Sequence, residues 1–411
     1  MANHYARVLD VRSNEEALAE IVGVGATPTA SRWMADEATM RVVRLEAVSG
    51  RAASLLKQEA LALGAECAVA RSVAAFDDTP QAVVLIATLK QHRALAAKLR
   101  AQPFGLRGLA GQVSRAVEAY DRQSIGPLRV GRHELPLGRR TLVMGIINVT
   151  PDSFSGDGLG DDVGAAVSQA RRFADEGADL LDVGGQSTRP GSDELGAEDE
   201  KRRILPVVER IAAEVGLPIS IDTDKVEVAA AALDAGAGLV NDVRALRGEG
   251  MLELVSQRRV PACLMHMLGT PRTMQEAPHY EDVIADIYRF LADRVAACVE
   301  AGLTREQVLI DPGIGFGKTV NHNLTILRRL RDFRSLGCPI LVGVSRKSTI
   351  GKVLSLPADQ RVEGTAAACA CAILSGADVI RVHDVREMTR VARMTDAIVR
   401  GCPDEPSGGA A

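Results

Sequence analysis

Aromatic side chains make up only 3% of the 411 residues, with a single tryptophan. So few rings leave little material for the stacking platforms that hold the bases of single-stranded nucleic acid. Charge of one sign is equally scarce: 49 Lys and Arg stand against 53 Asp and Glu, a net charge of −4. That balance argues against a general nucleic-acid surface, although a local basic cluster can still serve a small phosphorylated substrate. No apolar run approaches the roughly 20 residues of a membrane span, and residues 1–10 lack a basic stretch followed by an apolar one. A cytoplasmic protein without membrane association is expected. The seven cysteines are odd in number and scattered, which points to neither disulfides nor a zinc site; Cys369 and Cys371 fall in an Ala-rich stretch that reads as a buried helix.

What the sequence does contain, 46% apolar and 25% charged residues, suits a globular chain of two domains. From about residue 142, short β-rich apolar runs alternate with longer segments of helical period, the rhythm of βα units. Eight runs read as strands: 142–147, 179–183, 218–221, 239–240, 261–265, 308–310, 339–344 and 379–382. Helices are expected after them at, for example, 163–176, 198–215, 226–235, 282–302, 322–331 and 361–375. Residues 142–400 thus predict a (β/α)₈ TIM barrel, whose usual length is about 250 residues. Residues 1–125 form a smaller α/β domain, with strands at 7–11, 41–46, 67–69 and 83–88 and helices at 15–22, 51–63 and 92–100. Residues 126–141, punctuated by Gly126-Pro127, Pro136 and Gly138, read as a linker, and residues 401–411 as a disordered tail.

Barrel enzymes take their site residues from the C-terminal ends of the strands. Those ends are, in order, Asn148, Asp182, Asp222, Asn241 with Asp242, His266, Asp311, Ser345-Arg346-Lys347, and Arg381 with His383. Singly, Asp182 or Asp242 could be a satisfied core carboxylate or a cap; eight polar ends together point to a ligand. Asn148 opens a Gly-, Ser- and Asp-rich loop, 151–158, whose Asp152 or Asp157 could join the amide in holding Mg²⁺ against substrate phosphates. Arg189, beside Ser187 and Thr188, can clamp a phosphate. Asp222 and Asn241 on neighbouring strands can read the donor and acceptor edges of a heterocycle. The glycine-rich run 311–319 is no nucleotide loop: Pro312 stands where a P-loop needs glycine, and Lys318 where the dinucleotide pattern does. Asp311 at the strand end, with Phe316 leaning over a pocket, is the better account. Ser345, Arg346, Lys347, Arg381 and His383 converge on the usual phosphate corner of the fold.

Together these segments resemble dihydropteroate synthase without a break from about Leu142 to Val399. The strings Asn148-Val-Thr-Pro-Asp-Ser-Phe-Ser, Ser187-Thr-Arg-Pro-Gly, Asp311-Pro-Gly-Ile-Gly-Phe-Gly-Lys and Ser345-Arg-Lys-Ser carry the resemblance. It implies that Asp222, Asn241, Met265, Asp311, Gly343 and Lys347 hold the pterin. By the same resemblance Asn148, Arg189, Arg381 and His383 hold the diphosphate, with Asn148 also on Mg²⁺, and Thr188, Pro190, Phe316, Ser345 and Lys347 form the p-aminobenzoate pocket. Lys347, Asp222, Asp311 and Arg381 are the implied catalytic set. In the family diphosphate leaves first, with carbocation character at the pterin methylene, and the arylamine then attacks. Sulfonamide inhibition and a homodimer through the last barrel helices are further implications.

Two positions depart from the family pattern. Gln186 stands where glutamate is frequent, and Ser155-Gly156-Asp157 replaces the usual Ser-Asp-Gly order, which leaves open whether Asp152 or Asp157 reaches the metal. Two alternatives fit the same barrel, a methyltetrahydrofolate-corrinoid methyltransferase of the same barrel family and a non-catalytic pterin-binding paralogue. Ser345-Arg346-Lys347 and Thr188-Arg189-Pro190 speak against the first, since a methyl donor has no diphosphate to clamp; retention of Asn148, Lys347 and Arg381 speaks against the second. The amino-terminal domain lies outside the resemblance and shows no kinase-like or aldolase-like constellation, so a structural or interaction role is expected of it.

Overall fold

The computed structural model describes residues 5–75, 77–122, 125–150, 162–186, 195–270 and 272–401. The chain divides between Arg122 and Gln123 into two compact units. In the second unit eight parallel strands follow one another in chain order: β1 Leu142–Asn148, β2 Leu180–Gly184, β3 Ile219–Asp222, β4 Leu239–Asp242, β5 Ala262–Met265, β6 Val308–Asp311, β7 Leu341–Val342 and β8 Val379–Val382. They are hydrogen-bonded in the order β6-β5-β4-β3-β2-β1-β8-β7, and a parallel bridge between Ile310 and Ile340 closes the ring. The barrel is the expected one, and the six expected helices form within about three residues of their predicted ends.

Strand β7 is shorter than the expected 339–344. Only Leu341 and Val342 stay in the ladder, because the chain leaves it at Gly343 and turns through Arg346, which takes a positive φ of 55°. Around the ring, helices bury their apolar stripes on the strands. In the helix Val163–Asp175, capped by the Asp162 side chain at Ala165 N–H, the stripe is Ala166, Ala170 and Phe173, the i, i+4, i+7 spacing of one helix face. Gly145 in β1 is matched to it: a Cβ there would lie 2.6 Å from Phe173.

Residues 126–141 are not a linker. Leu128–Val130 and His133–Leu135 pair as an antiparallel hairpin. Leu128, Val130, Leu135 and Leu137 are buried against Leu142, Met144, Leu180, Leu239, Cys263, Leu309, Leu341 and Val379. The hairpin is the floor of the barrel. Its glycines and prolines shape tight turns rather than a free connection. Gly238, just before β4, admits the hairpin, since a Cβ there would stand 2.5 Å from the Gly131 nitrogen.

In the first unit, strands Met40–Val48 and Glu66–Ala68 flank the antiparallel central strand Gln81–Thr88. The helix Gly50–Leu61 connects the two outer strands, so the arrangement is a split βαβ unit. Leu56, Val83, Leu85, Leu95, Leu99 and Leu106 form its core. The strand expected at 7–11 does not form; Val8 is fully exposed and no strand lies beside it to bury the alternation. Helices Pro28–Ala38 and Leu106–Asp121 were not foreseen.

Candidate active site

The pleat carries the polarity of the barrel mouth. Inward-facing positions recur every second residue along a strand, and the layer above the floor is Leu180, Leu239, Cys263, Leu309, Leu341 and Val379. Two residues further on, the same strands present Asp182, Asn241, Met265, Asp311, Gly343 and Arg381. One step along the pleat thus replaces a dry layer by a layer of hydrogen-bonding groups and charges.

Arg381 organises one side of this layer. Its Nε donates to Asp182 Oδ2 at 2.5 Å and its Nη2 to Asp222 Oδ2 at 2.7 Å. Asn241 Nδ2 donates to the same Asp182 oxygen at 3.0 Å. Asp182 is fully buried, and its Oδ1 has no hydrogen-bond partner among the described residues. Burial pushes the Asp222 carboxyl up to about 7 against the opposing pull of Arg381. Burial alone would lower the Arg381 guanidinium, but Asp182 and Asp222 outweigh it and raise it. Asp242, which resembles Asp182 in sequence, does something else. Its two oxygens accept from the Arg244 and Leu246 backbone N–H groups, each at 2.7 Å, so it ties down the turn after β4.

The other side is built on the glycine-rich run after β6. Asp311 Oδ1 accepts from Gly313 N–H at 2.7 Å, and burial raises its carboxyl while Lys347 opposes the shift. Gly313 has a φ of 70°, and a Cβ there would lie 1.9 Å from the His266 carbonyl oxygen, so only glycine fits. Lys347 Nζ donates to the Ile314 carbonyl and lies 4.6 Å from the centre of the Phe316 ring, a cation–π contact. Burial lowers its ammonium to about 8. Phe316 rests on the apolar patch Val243, Met265, Met267 and Met274.

Beneath this turn lies Lys318, the last residue of the glycine-rich string, to which the sequence assigned no role of its own. It is 3% exposed. Its Nζ donates to the Phe316 carbonyl at 2.9 Å and lies 3.0 Å from His266 Nδ1. Burial, helped by Lys318, pushes His266 down to about 2. His266 packs edge-on to Phe290 at 5.0 Å, so this strand-end residue supports the loop. No sequence spacing announced the pair, because the partners lie 52 positions apart.

Beyond the ends of β7 and β8, Ser345 Oγ accepts from His383 N–H at 3.2 Å and lies 2.9 Å from His383 Nδ1. Ser345, implied for the p-aminobenzoate pocket, is therefore joined to a residue implied for the diphosphate. Arg346 points elsewhere: its Nε donates to Asp384 at 3.0 Å. Asn148 stands half-buried at the end of β1, in register with Gly184. Thr188, Arg189 and Pro190, with Asp152 and Asp157, lie outside the described residues, so the structure brings together the implied pterin residues but only parts of the other two sets. One network went unforeseen. Lys225 Nζ donates to the Gln186 side-chain oxygen and, at 2.7 Å, to fully buried Glu200, so Gln186 holds a structural bond at the root of its loop. Among the described residues no group of three or more His, Cys, Asp and Glu could hold a metal.

The model of a family described as pterin binding enzyme matches residues 144–383. The dihydropteroate synthase of Escherichia coli strain K12 is 46% identical over 255 residues, covering 62% of this chain and 90% of that protein. A probable bifunctional folylpolyglutamate synthase/dihydropteroate synthase of Haloferax volcanii is 41% identical over 348 residues, covering 83% of this chain and 41% of that protein. The crystal structure of Yersinia pestis dihydropteroate synthase with a sulfonamide drug complex superposes with a TM-score of 0.64 at 42% identity, covering 66% of this chain and 98% of that one. With the barrel, its polar mouth and these relatives in agreement, the chain belongs to the pterin binding enzyme family, among its dihydropteroate synthases.

Proposed function

We propose that the barrel is a transferase that joins 6-hydroxymethyl-7,8-dihydropterin diphosphate to p-aminobenzoate, giving 7,8-dihydropteroate and diphosphate in folate biosynthesis. The observation that carries this reading is the polar layer of Asp182, Asp222, Asn241, Asp311, Lys347 and Arg381 above a dry barrel core. Asp222, Asn241, Asp311 and Lys347 offer the donors and acceptors that a pterin edge requires, beside Met265 and Gly343. Arg381 and His383, with Asn148 and Arg189, take the diphosphate. As the C–O bond to the diphosphate breaks, the carboxylates of Asp222 and Asp311 stabilise positive charge spread over the pterin while the cations hold the leaving group. The amine nitrogen then bonds to the methylene and releases its proton to solvent. No protein nucleophile is needed.

The amide of Asn148 suits Mg²⁺, which binds through few protein oxygens together with substrate phosphates and water. When bound, the ion would neutralise charge on the leaving diphosphate. Thr188, Pro190, Phe316, Ser345 and Lys347 are the residues for p-aminobenzoate, and the Xanthomonas albilineans relative solved with 4-aminobenzoic acid, 48% identical at a TM-score of 0.59, supports a pocket for it. The sulfonamide complex of the Yersinia pestis relative supports competitive inhibition here. The exposed Met394, Ile398 and Val399 on the last barrel helix are an apolar strip that suits a homodimer. No helix of the described residues is long and apolar enough to cross a membrane, consistent with work in the cytoplasm. The test is formation of 7,8-dihydropteroate together with diphosphate when both substrates are present; diphosphate without the condensed product under those conditions, or no turnover at all, refutes the reading. Excess chelator should abolish turnover and leave the circular dichroism of the fold unchanged, and full activity in chelator would remove Mg²⁺ from the account.

A further inference from the structure

Arg381 is held by two carboxylates that differ in kind. Asp182 is wholly buried, also accepts from Asn241, and keeps one oxygen, Oδ1, without a partner among the described residues. Asp222 ends β3 at the mouth and receives only the Nη2 bond among its hydrogen bonds to described side chains. We infer that Asp182 is a fixed pivot for Arg381, and that a pterin taking Asp222 releases the Nη2 end of the guanidinium to the diphosphate. This rests on the reading in which Asp222 holds the pterin and Arg381 the diphosphate.

Asp222 Oδ2 is a shared acceptor. A pterin N–H edge that takes Asp222 competes with Nη2 for Oδ2, and a guanidinium cannot lose one carboxylate in a buried site without another partner. Asp182 supplies that security: Nε stays on Oδ2, and the vacant Oδ1 lets the fork turn without leaving its counter-charge. The freed N–H groups then face the anion of the same substrate. Binding of the ring and binding of the leaving group are thereby coupled, so a free anion such as phosphate meets an Arg381 already occupied by Asp222. Asp182 touches no substrate in this account; it is a positioning residue.

The coupling is measurable on the intact wild-type protein by calorimetry with two probes, 6-hydroxymethylpterin, which lacks phosphate, and inorganic diphosphate with Mg²⁺. Saturating pterin should tighten diphosphate binding by about tenfold, and diphosphate should tighten pterin binding by the same factor. In Asp182→Asn, pterin affinity should stay within about threefold while the mutual gain falls to about twofold or less. Should that variant fail to fold, Arg381→Lys, whose single ammonium cannot span two carboxylates, should lose the gain likewise. Independent binding of the two probes in the wild type, or a full gain in either variant, overturns the inference while leaving the proposed reaction standing. Failure of both probes to bind the wild type would instead remove the proposed reaction and the inference with it.

Discussion

Lys347 and Asp222 sit in one mouth with their titrations drawn together. Burial lowers the Lys347 ammonium to about 8, and raises the Asp222 carboxyl to about 7. The form that can donate from Lys347 and accept at Asp222 exists above the second value and below the first. A bell-shaped profile of kcat/KM is therefore expected, falling below about pH 7 as Asp222 takes up its proton and above about pH 8 as Lys347 loses one. Lys347→Arg should abolish the alkaline limb, because a guanidinium stays charged there, while lowering kcat/KM by about tenfold or more through its different shape. An unchanged alkaline limb in that variant would assign it to another group. Asp242 serves as the contrasting residue. Its carboxylate accepts from the buried Leu246 N–H and the part-buried Arg244 N–H, and Asp242→Ala should cost about 1–3 kcal/mol of stability, seen in denaturant unfolding, with KM for both substrates altered little. A large KM change with unchanged stability would move Asp242 into the site.

At the scale of elements, legibility followed the number of faces an element buries. The barrel strands are covered inside and out, so they appear in sequence as apolar runs ending in a polar residue, and their ends were found closely. Strand β7 was overestimated because Pro339 to Val344 is apolar throughout, whereas the ladder ends where Gly343 and Arg346 turn the chain. The hairpin 128–135 was missed for the opposite reason. Each of its strands is three residues long, too short to show alternation, and its turn residues read as punctuation. The polar residues Asp222, Asn241, Asp311 and Arg381 were legible as a cluster because each stands at or next to the C-terminal end of a strand. The supports Lys318–His266 and Lys225–Glu200 were not, since each joins residues far apart in sequence. If the hairpin is the floor, Leu128→Ala, at a side chain 1% exposed, should lower unfolding free energy by about 2–4 kcal/mol through the cavity it leaves. A loss under about 0.5 kcal/mol, the range of ordinary surface changes, would mean that the hairpin only lies against the barrel.

The whole molecule joins this barrel to a first unit with its own sheet, helices and core. The Haloferax volcanii match covers 83% of the chain, more than the residues from Gln123 onward can supply, so part of the first unit has a counterpart beside a related barrel. The proposed catalytic set, Lys347, Asp222, Asp311 and Arg381, lies on the barrel strands or the turns that follow them. The position of the cut then decides the outcome of truncation. A chain beginning at Gln123 keeps the floor hairpin and every described site residue, and should release diphosphate with a kcat within about threefold of the full protein, as expected for a separately folding unit. A chain beginning at Arg139 removes Leu128, Val130, Leu135 and Leu137, exposing the lower barrel layer to water. Four buried aliphatic side chains are worth roughly 1.5–3 kcal/mol each, comparable to the entire stability of many domains, so this shorter chain should aggregate or lose its cooperative thermal transition. Were the chain from Gln123 folded by circular dichroism yet inactive, the first unit would contribute to the chemistry itself. Were the chain from Arg139 as stable as the longer one, the dry layer would close without its hairpin.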